Sequence, residues 1–354
     1  MRIDRQQAFS GTVAADISVA RLENYLKASI AGFAGPITIS RFKGGQSNPT
    51  YRLTTPDCDY VLRRKPFGKL LPSAHAIERE FRITQALHAT GFPVARPYLL
   101  CTDDAIIGSA FYVMDFSEGR IIWEPFAPGV SAADRAQLFD ALNQTMARLH
   151  LIDFTALGLA DFGRPESYVS RQIKRWSEQY RSSETEKIAA MDQLMEWLPG
   201  ACPKDSGAAI VHGDFRLDNC VIHPTEPRII AVLDWELSTI GDPLADFTYH
   251  LMQWFMPVSE AGAGVGSLIG HEHDPGIPSL DDYIATYCRR TARTSIADLN
   301  VYMAYNFFRL AAILQGILGR VRDGTAANAQ AVHMAKQVAP LAQTAWQFAV
   351  RAGA

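Results

Sequence analysis

This sequence lacks the features that mark several specialised classes of protein. No apolar run reaches the roughly 18 residues that a membrane span needs, and residues 1–5 contain no apolar signal segment. The five cysteines are scattered, and none forms a Cys-x-x-Cys pair. The formal net charge is only -3, which gives no general attraction to nucleic acid or to an anionic membrane. We therefore expect a cytoplasmic protein with reduced thiols and without a nucleic-acid or membrane partner.

What the chain does contain is an ordinary globular composition and a change of pattern along its length. Hydrophobic residues make up 48% and charged residues 20% of the sequence, and 354 residues suggest about two domains. Alternating apolar positions predict strands, and 3.6-residue spacing predicts helices. In the N-terminal part the predicted helices are 17–30 and 76–90, and the predicted strands are 37–42, 50–54, 60–64 and 110–114. In the C-terminal part a buried strand at 229–233 accompanies predicted helices at 131–150, 166–197, 281–293, 296–321 and 326–350.

This change of pattern predicts an α+β fold of two lobes. Residues 1–116 would form a small N-terminal lobe around an antiparallel sheet, and residues 117–354 would form a larger helical lobe. The hinge would lie near residues 114–119, where an apolar strand runs into a Ser-Glu-Gly turn. A cleft between two lobes is a common place for a ligand.

The most informative segment is His-Gly-Asp-x₄-Asn at residues 212–219, followed by Leu-Asp-Trp-Glu at residues 233–236. It places Asp214 five residues before Asn219 and adds Asp234 at the end of an apolar run. Phosphoryl transfer needs a carboxylate to orient a hydroxyl, and an amide and a carboxylate to hold magnesium on a nucleotide. The spacing is that of the protein-kinase catalytic loop, with Gly213 where those enzymes carry arginine. By chance such a motif should occur in roughly one chain of this size in a thousand.

The chain resembles the aminoglycoside phosphotransferase and choline kinase family, which has a protein-kinase-like fold. The resemblance covers about residues 37–348 and depends most on the two motifs above and on Gly-Asp-Pro at residues 241–243. Residues 44–51 and 60–66 make the chain most similar to the kinase-like domains associated with acyl-CoA dehydrogenases. The resemblance implies that Asp214 is the catalytic residue, which orients the substrate hydroxyl or accepts its proton. It implies Asn219 and Asp234 as the magnesium ligands.

The resemblance also implies supporting roles for three residues near these ligands. His212 would brace the catalytic loop through hydrogen bonds. Asp246, in the helix that follows Asp242 and Pro243, would bond to the loop backbone, with a solvent-facing charge as the alternative. Glu236 would assist at a second metal or would face solvent, and the sequence leaves both open.

A Gly-Gly-Gln-Ser-Asn turn at residues 44–48 resembles the loop that covers nucleotide phosphates in kinases. Gly45 would allow a close approach of the backbone, and Ser47 and Asn48 would donate to phosphate oxygens. No Gly-x-Gly-x-x-Gly occurs here, so an ordinary hairpin turn is the alternative. The resemblance further implies a hinge strand whose backbone would read adenine, formed by Val113, Met114, Asp115 and Phe116.

The third predicted strand carries arginine where kinases normally carry lysine. Arg63 would reach the phosphates, and Val61, on the same strand face, would touch adenine. Arginine can bind phosphate bidentately, although its geometry differs from that of lysine. Arg64 and Lys65 are alternatives for this contact, as is a solvated basic strand end. Glu80 matches the helix glutamate that pairs with the strand cation, and a surface glutamate is its alternative.

The substrate side of the chain is not acidic. From residue 255 onward there are seven acidic and eight basic residues, whereas a site for polycationic aminoglycosides needs an acidic pocket. The balance favours a neutral or anionic hydroxylated substrate, and the acyl-CoA-dehydrogenase association would imply a hydroxyacyl thioester. Asn306, Arg309 and Gln315 are polar residues on an apolar helix, where they would line a pocket or would frame a helix–helix contact.

These observations predict an ATP- and Mg²⁺-dependent phosphotransferase acting on a hydroxyl of a small molecule. A protein kinase is disfavoured because only seven residues separate Asp234 from Asp242, which leaves no room for an activation loop. A non-catalytic nucleotide-binding or regulatory module remains the alternative, because Arg63 and the poor phosphate loop depart from the kinase pattern.

Overall fold

The computed structural model describes residues 9–10, 17–42, 48–66, 76–203, 206–258, 266–323 and 336–354. Two compact units divide the chain. The first unit comprises Met1–Ile121 and Asn219–Ser238, and the second comprises Ile122–Asp218 and Thr239–Ala354. The first unit carries the large sheet and the second is mainly helical, so the predicted α+β class is confirmed. The predicted functional division into residues 1–116 and 117–354 stays a prediction.

The first unit is built on a six-stranded sheet in which every neighbouring pair is antiparallel. Its strands are β1 (Phe9–Ser10), β2 (Thr38–Phe42), β3 (Thr50–Thr54), β4 (Asp59–Arg64), β5 (Pro97–Cys101) and β6 (Phe111–Asp115), in the order β1-β2-β3-β4-β6-β5. Its helices are α1 (Val19–Ser29), α2 (Ile77–Ala89) and α3 (Asp104–Ile107). Side chains alternate in and out along a strand, so Tyr51 and Leu53 of β3 are buried while Arg52 between them is only partly buried. They join a core with Leu22 and Leu26 of α1.

A two-stranded hairpin, β8 (Cys220–Ile222) and β9 (Ile229–Val232), belongs to the same unit. The backbones of Arg120 and Ile222 exchange two hydrogen bonds of 2.7 and 2.8 Å. The amide of Val232 donates to the carbonyl of Pro93 over 2.8 Å. These bonds explain why residues 219–238 group with the N-terminal sheet although they lie far along the chain.

The second unit combines a short strand pair with helices. The strands are β7 (Ala209–Val211) and β10 (Thr239–Gly241), which pair antiparallel. The helices are α4 (Ala132–Leu151), α5 (Tyr168–Ser183), α6 (Ala189–Trp197), α7 (Pro243–Leu251), α8 (Leu280–Arg290), α9 (Leu299–Arg322) and α10 (Val338–Arg351). Helix α9 packs against α5, α7 and α10. By length and composition α9 is long and apolar enough to cross a membrane, but 83% of that stretch is buried inside the protein, as in a core helix.

The start of α7 shows why residues 241–243 have their sequence. A Cβ on Gly241 would lie 2.8 Å from the ring of Tyr168, so only glycine fits without displacing that ring. Asp242 caps the helix by accepting from the amides of Leu244 (2.8 Å) and Ala245 (3.3 Å). Pro243 occupies the first helical position, where no amide donor is needed. These three residues therefore set where α7 begins.

Two predicted helices differ from the structure. The helix predicted at 166–197 is broken into α5 and α6, and the carbonyl of Ser183, which a helix end leaves without an intrahelical partner, accepts from Gln315. Glu184 then turns to an extended ψ of 127°. The helix predicted at 326–350 appears from Val338, and residues 324–335 lie outside the described part. Strand β5, which begins at Pro97, was not predicted.

Candidate functional site

The loop after β7 is fastened by one carboxylate. Asp246, in the first turn of α7, accepts from the backbone amides of His212 (2.7 Å) and Gly213 (2.8 Å). Gly213 has a φ of +84°, which an L side chain rarely adopts. The predicted bond from Asp246 to the loop backbone is therefore present, and the left-handed backbone at residue 213 explains the glycine there.

Asp246 is itself held in a buried polar cluster. Its Oδ2 lies 3.2 Å from Nε2 of His150, whose Nδ1 lies 2.6 Å from the hydroxyl of Tyr287. Burial opposes the charged form of Asp246, but the hydrogen bond and charge of His150 and the contacts of His212 outweigh it and lower its pKa. The carboxylate thus stays ionised and keeps accepting from the loop.

Asp214 follows directly and is more open. Its side chain is 22% exposed, and its Oδ1 accepts from the hydroxyl of Tyr249 over 2.7 Å. Nε of Arg216 lies 3.6 Å from the same oxygen. The amide of Asp214 donates to Nδ1 of His212 over 3.2 Å, and His212 is fully buried, so it braces the loop as predicted. The loop therefore presents one partly exposed carboxylate from a fixed backbone.

The two predicted metal ligands lie at one end of the β8–β9 hairpin, in the first unit. Asn219 precedes β8, and its carbonyl accepts from the amide of Leu233 over 2.8 Å. The next ladder pair is Cys220 with Val232. Asp234 follows Leu233 immediately and has a φ of +64°, a left-handed conformation that is uncommon for a residue other than glycine. The ladder thus brings Asn219 and Asp234 to the same edge.

A single guanidinium joins three acids of the first unit. Nε of Arg63 lies 2.8 Å from Oε2 of Glu80, so the predicted strand–helix ion pair is present. Its Nη2 lies 3.1 Å from Oδ1 of Asp234 and 3.5 Å from Oε2 of Glu236. Burial lowers the pKa of Arg63, but the charges of Glu80 and the other acidic groups outweigh it and raise the pKa overall. Glu236 therefore contacts Arg63 while its side chain stays 30% exposed, and the choice between its two predicted alternatives stays a prediction.

The two alternative cations at the strand end have other partners. Arg64 is buried, with its guanidinium 6.0 Å from the centre of the Tyr51 ring. Lys65 pairs with Glu78, which lies two residues before Glu80. The structure thus assigns the pairing with Glu80 to Arg63.

Glu80 is fixed from two more directions. Asn48 Nδ2 donates to its Oε1 over 2.8 Å, and the hydroxyl of Tyr112 donates to its Oε2 over 3.1 Å. Burial raises the pKa of Glu80, and the charge of Arg63 and these two hydrogen bonds oppose that rise only in part. Asn48 is fully buried, so the predicted phosphate contact through its amide would require this bond to be given up. Gly45 and Ser47, the other two predicted loop contacts, lie outside the described residues.

The predicted hinge strand is β6 and its C-terminal neighbour. Val61 of β4 pairs with Met114, and Val113 pairs with Leu62 and Leu99. The amide of Asp115 donates to the carbonyl of Arg96 (2.9 Å), and that of Phe116 donates to the carbonyl of Asp59 (3.3 Å). These two amides are therefore engaged in the sheet, and adenine recognition here stays a prediction.

The three predicted substrate residues have different surroundings. Asn306 donates to the carbonyl of Ala245 (3.0 Å) and to Thr248 (2.9 Å), which joins α9 to α7. Gln315 donates to the carbonyl of Ser183 over 2.6 Å, which joins α9 to α5. Both are buried, which favours their alternative role in helix–helix contacts.

Arg309 differs, because it reaches the loop after β7. Its Nη2 donates to the carbonyl of Gly213 over 2.9 Å. A cavity of about 260 Å³ lies elsewhere in the second unit, between α4 and α8, and none of the predicted site residues lines it.

The side chains at the end of the β8–β9 hairpin fit part of a magnesium site. Asn219 and Asp234 offer amide and carboxylate oxygens, which magnesium prefers. Among the described residues there is no group of three or more acidic, histidine or cysteine side chains that could hold a metal. The residues therefore fit a magnesium ion that takes its remaining oxygens from nucleotide phosphates and water, and they do not fit a cage made of protein alone.

Three contributors to these clusters were missed in the sequence. Tyr249 contacts Asp214, Tyr112 contacts Glu80, and His150 contacts Asp246. Tyr249 lies three residues after Asp246 on α7, and residues three apart share a helix face. That spacing is the one signal that would have suggested it.

The chain is similar in sequence and in fold to known proteins. Residues 38–283 match the model of the family described as Phosphotransferase enzyme family (APH). Mouse acyl-CoA dehydrogenase family member 10 is 43% identical over 94% of this chain, which spans 31% of that relative's length. A protein from Ralstonia eutropha assigned to the aminoglycoside phosphotransferases is 46% identical, with a TM-score of 0.86 over 94% of this chain and 98% of that one.

More distant structures share the fold alone. Spectinomycin phosphotransferase, solved with ADP and spectinomycin, is 14% identical, with a TM-score of 0.60 over 94% of this chain and 99% of that one. These likenesses confirm the predicted kinase-like fold and the predicted similarity to acyl-CoA-dehydrogenase-associated domains. The match over most of the chain and the identity to its relatives together show that the chain belongs to the APH phosphotransferase enzyme family.

Proposed function

We propose that the chain transfers the γ-phosphoryl group of ATP to a hydroxyl of a small molecule, with Mg²⁺ as its metal. The observation that carries this proposal is the β8–β9 hairpin, which brings Asn219 and Asp234 to one edge. Asp214 lies only five residues before Asn219 in the chain, so the proposed base and one of the two proposed metal ligands come from one short segment. The family membership supports the same reaction.

In this reaction Asp214 orients the acceptor hydroxyl and takes its proton. Phosphoryl transfer passes through a loose transition state, so accurate placement of the hydroxyl matters more than a strong base. Asp246 keeps the loop backbone in place, and Arg63, paired with Glu80, would bind nucleotide phosphates. Magnesium, bound by Asn219 and Asp234 with the nucleotide, would supply neutralisation of phosphate charge. We place this activity in the cytoplasm, as the scattered positions of the five cysteines in the sequence suggest.

We propose a hydroxyacyl thioester as the acceptor rather than an aminoglycoside. The helical C-terminal part has no acidic excess to attract a polycation. Its relative in mouse is named as an acyl-CoA dehydrogenase family member, which associates this domain with acyl-CoA chemistry.

ADP release in the presence of ATP and Mg²⁺ tests this function. Hydroxyacyl-CoAs, choline-like amines and aminoglycosides would each be offered as acceptors to wild type and to Asp214→Asn. We expect release with a hydroxyacyl-CoA that depends on Asp214. Release that is equal in the two proteins would remove Asp214 from its role.

A non-catalytic nucleotide-binding module is the second candidate. It is favoured by the contact of Arg63 with Asp234, since the guanidinium already neutralises a predicted metal ligand. This candidate predicts nucleotide binding without added metal and no ADP release with any acceptor. Thermal shifts with ATP, with and without Mg²⁺, separate the two candidates.

A further inference from the structure

Tyr249 donates a short hydrogen bond to the predicted catalytic carboxylate. It lies on α7, is 5% exposed, and its hydroxyl donates to Oδ1 of Asp214 over 2.7 Å. Hydrogen bonds to a charged group are shorter and stronger than those between neutral groups. A bond that holds one carboxylate oxygen also restricts the direction of the other, so Tyr249 restricts how Asp214 points.

The phenol keeps its proton across the ordinary pH range. Burial of Tyr249 raises its pKa well above the usual value, and the negative charge of Asp214 raises it further. Arg309 and Arg216 act in the opposite direction without reversing the shift. Tyr249 is therefore a permanent donor to Asp214 and does not compete with it for a proton.

Arg309 connects the tyrosine to the loop. Its guanidinium carbon lies 5.1 Å from the centre of the Tyr249 ring, within the range of a cation–π contact. Its Nη2 donates to the carbonyl of Gly213, the residue before Asp214. A side chain from α9, 8% exposed, thus holds both the ring that orients the carboxylate and the backbone that carries it.

We infer that Tyr249 is a positioning residue for Asp214 and that Arg309 supports it. This inference rests on the proposed function, in which Asp214 aims a hydroxyl at a phosphate. Loss of the phenolic hydroxyl removes this restraint on the carboxylate, and a misplacement of about 1 Å can cost roughly 100-fold in rate. Nucleotide binding does not pass through this contact and should be unaffected.

The test compares Tyr249→Phe with Tyr180→Phe in the full chain. Tyr180 is also fully buried, and its hydroxyl has no hydrogen-bond partner among the described residues, so the same atom is removed without the contact. ADP release is measured with ATP, Mg²⁺ and the acceptor that gives the fastest release. We expect Tyr249→Phe to lower kcat by roughly 10- to 100-fold with the KM for ATP unchanged. We expect Tyr180→Phe to change neither value.

A double-mutant cycle separates positioning from general stability. If Tyr249 acts through Asp214, Tyr249→Phe should lower turnover much less in an Asp214→Asn background than in wild type. Losses that simply add would overturn the inference, as would a fall in kcat that disappears when the assay temperature is lowered. Arg309→Lys should lower kcat in the same direction but less, because lysine keeps the charge and loses the planar group.

A crystal structure of Tyr249→Phe provides a readout that needs no acceptor. We expect the Asp214 carboxylate to adopt a different or multiple orientation while the backbone at Gly213 stays in place. An unchanged Asp214 side chain would sink the inference even if the chain proved inactive with every acceptor. Inactive wild type would instead count against the proposed function, so the two failures are distinguishable.

Discussion

Two pairs of acidic residues, one pair in each unit, are held in different ways. In the first unit, Asp234 and Glu236 face the guanidinium of Arg63, and their side chains are 38% and 30% exposed. In the second, Asp214 accepts from a phenol and Asp246 from backbone amides. A partly exposed ion pair exchanges partners at small cost, whereas buried hydrogen bonds from neutral donors fix a geometry. The difference suits the proposed reaction, because the nucleotide and its ion must come and go while the hydroxyl must be aimed each time.

Removing the charge of Asp214 should have the largest effect on turnover. It would show how much the carboxylate held by Tyr249 contributes to the reaction. Asp214→Asn keeps the size of the side chain and removes the base, so turnover should fall by roughly 100- to 10,000-fold. ATP-dependent thermal stabilisation should remain. Asp140→Asn is the control, since Asp140 is an exposed partner of Arg290 and should not affect turnover. Similar activity of both variants would refute the assignment.

Removing the shared cation of the first unit should come next. Arg63→Met leaves Glu80, which is 2% exposed, without its positive partner, and breaking a buried pair costs about 3 kcal/mol of unfolding free energy. Lys65→Met at the end of the same strand breaks the more exposed pair with Glu78 and should cost less than about 1 kcal/mol. Chemical denaturation measures both. Equal losses of unfolding free energy would mean that the buried pair contributes no more to stability than the exposed pair does.

Neutralising Asp234 tests whether the exposed cluster exchanges its cation for a metal. Asp234→Asn is the variant of choice because asparagine tolerates the left-handed backbone found here. Wild type should gain about 2.7 kcal/mol from ATP and Mg²⁺ at a hundredfold excess over the dissociation constant, and EDTA should reduce that gain. The variant should show the same smaller gain with Mg²⁺ or with EDTA. A full Mg²⁺ effect in the variant would exclude Asp234 as a ligand.

The smallest effect concerns pH and the buried side of the second unit. Burial lowers the pKa of His250 to about 4, from a usual value of 6.5. The unfolded chain therefore binds a proton at His250 that the folded chain excludes, so the stability contribution is present above pH 6.5 and is lost as pH falls towards 4. Between pH 7 and 5 the loss should be about 2 kcal/mol.

His250→Gln should flatten this dependence, and the control is His88→Gln, which replaces an exposed histidine on α2. Urea denaturation at several pH values measures the slope in each protein. A slope that His250→Gln leaves unchanged would assign the acid sensitivity to other groups.

Local signals in the sequence predicted the parts of the fold that local chemistry controls. The cap by Asp242, the proline after it and the strands around Arg63 all follow from turn chemistry and side-chain periodicity. The Asp214–Asn219 spacing could be read because it lies in one continuous segment. The ion pair of Arg63 with Glu80 could be anticipated because the resemblance gave both positions.

Contacts between distant parts of the chain could not be read in the same way. His150 and Asp246 are 96 positions apart, and Tyr249 and Asp214 are 35 apart. In each pair, the sequence around one residue does not indicate its partner. At the break between α5 and α6, the carbonyl of Ser183 accepts from Gln315, 132 positions further along the chain. Such contacts follow from tertiary packing, which overrides the local helical preference of residues 166–197.

The ladder of the β8–β9 hairpin fixes the spacing between Asn219 and Asp234. Its turn, residues 223–228, lies at the far end of the ladder from both side chains. Insertions in that turn would leave the spacing of Asn219 and Asp234 unchanged, whereas a slip of one residue would reverse the faces of a whole strand. Related chains should therefore vary in length at residues 223–228 and keep a constant length between each of these two residues and its strand.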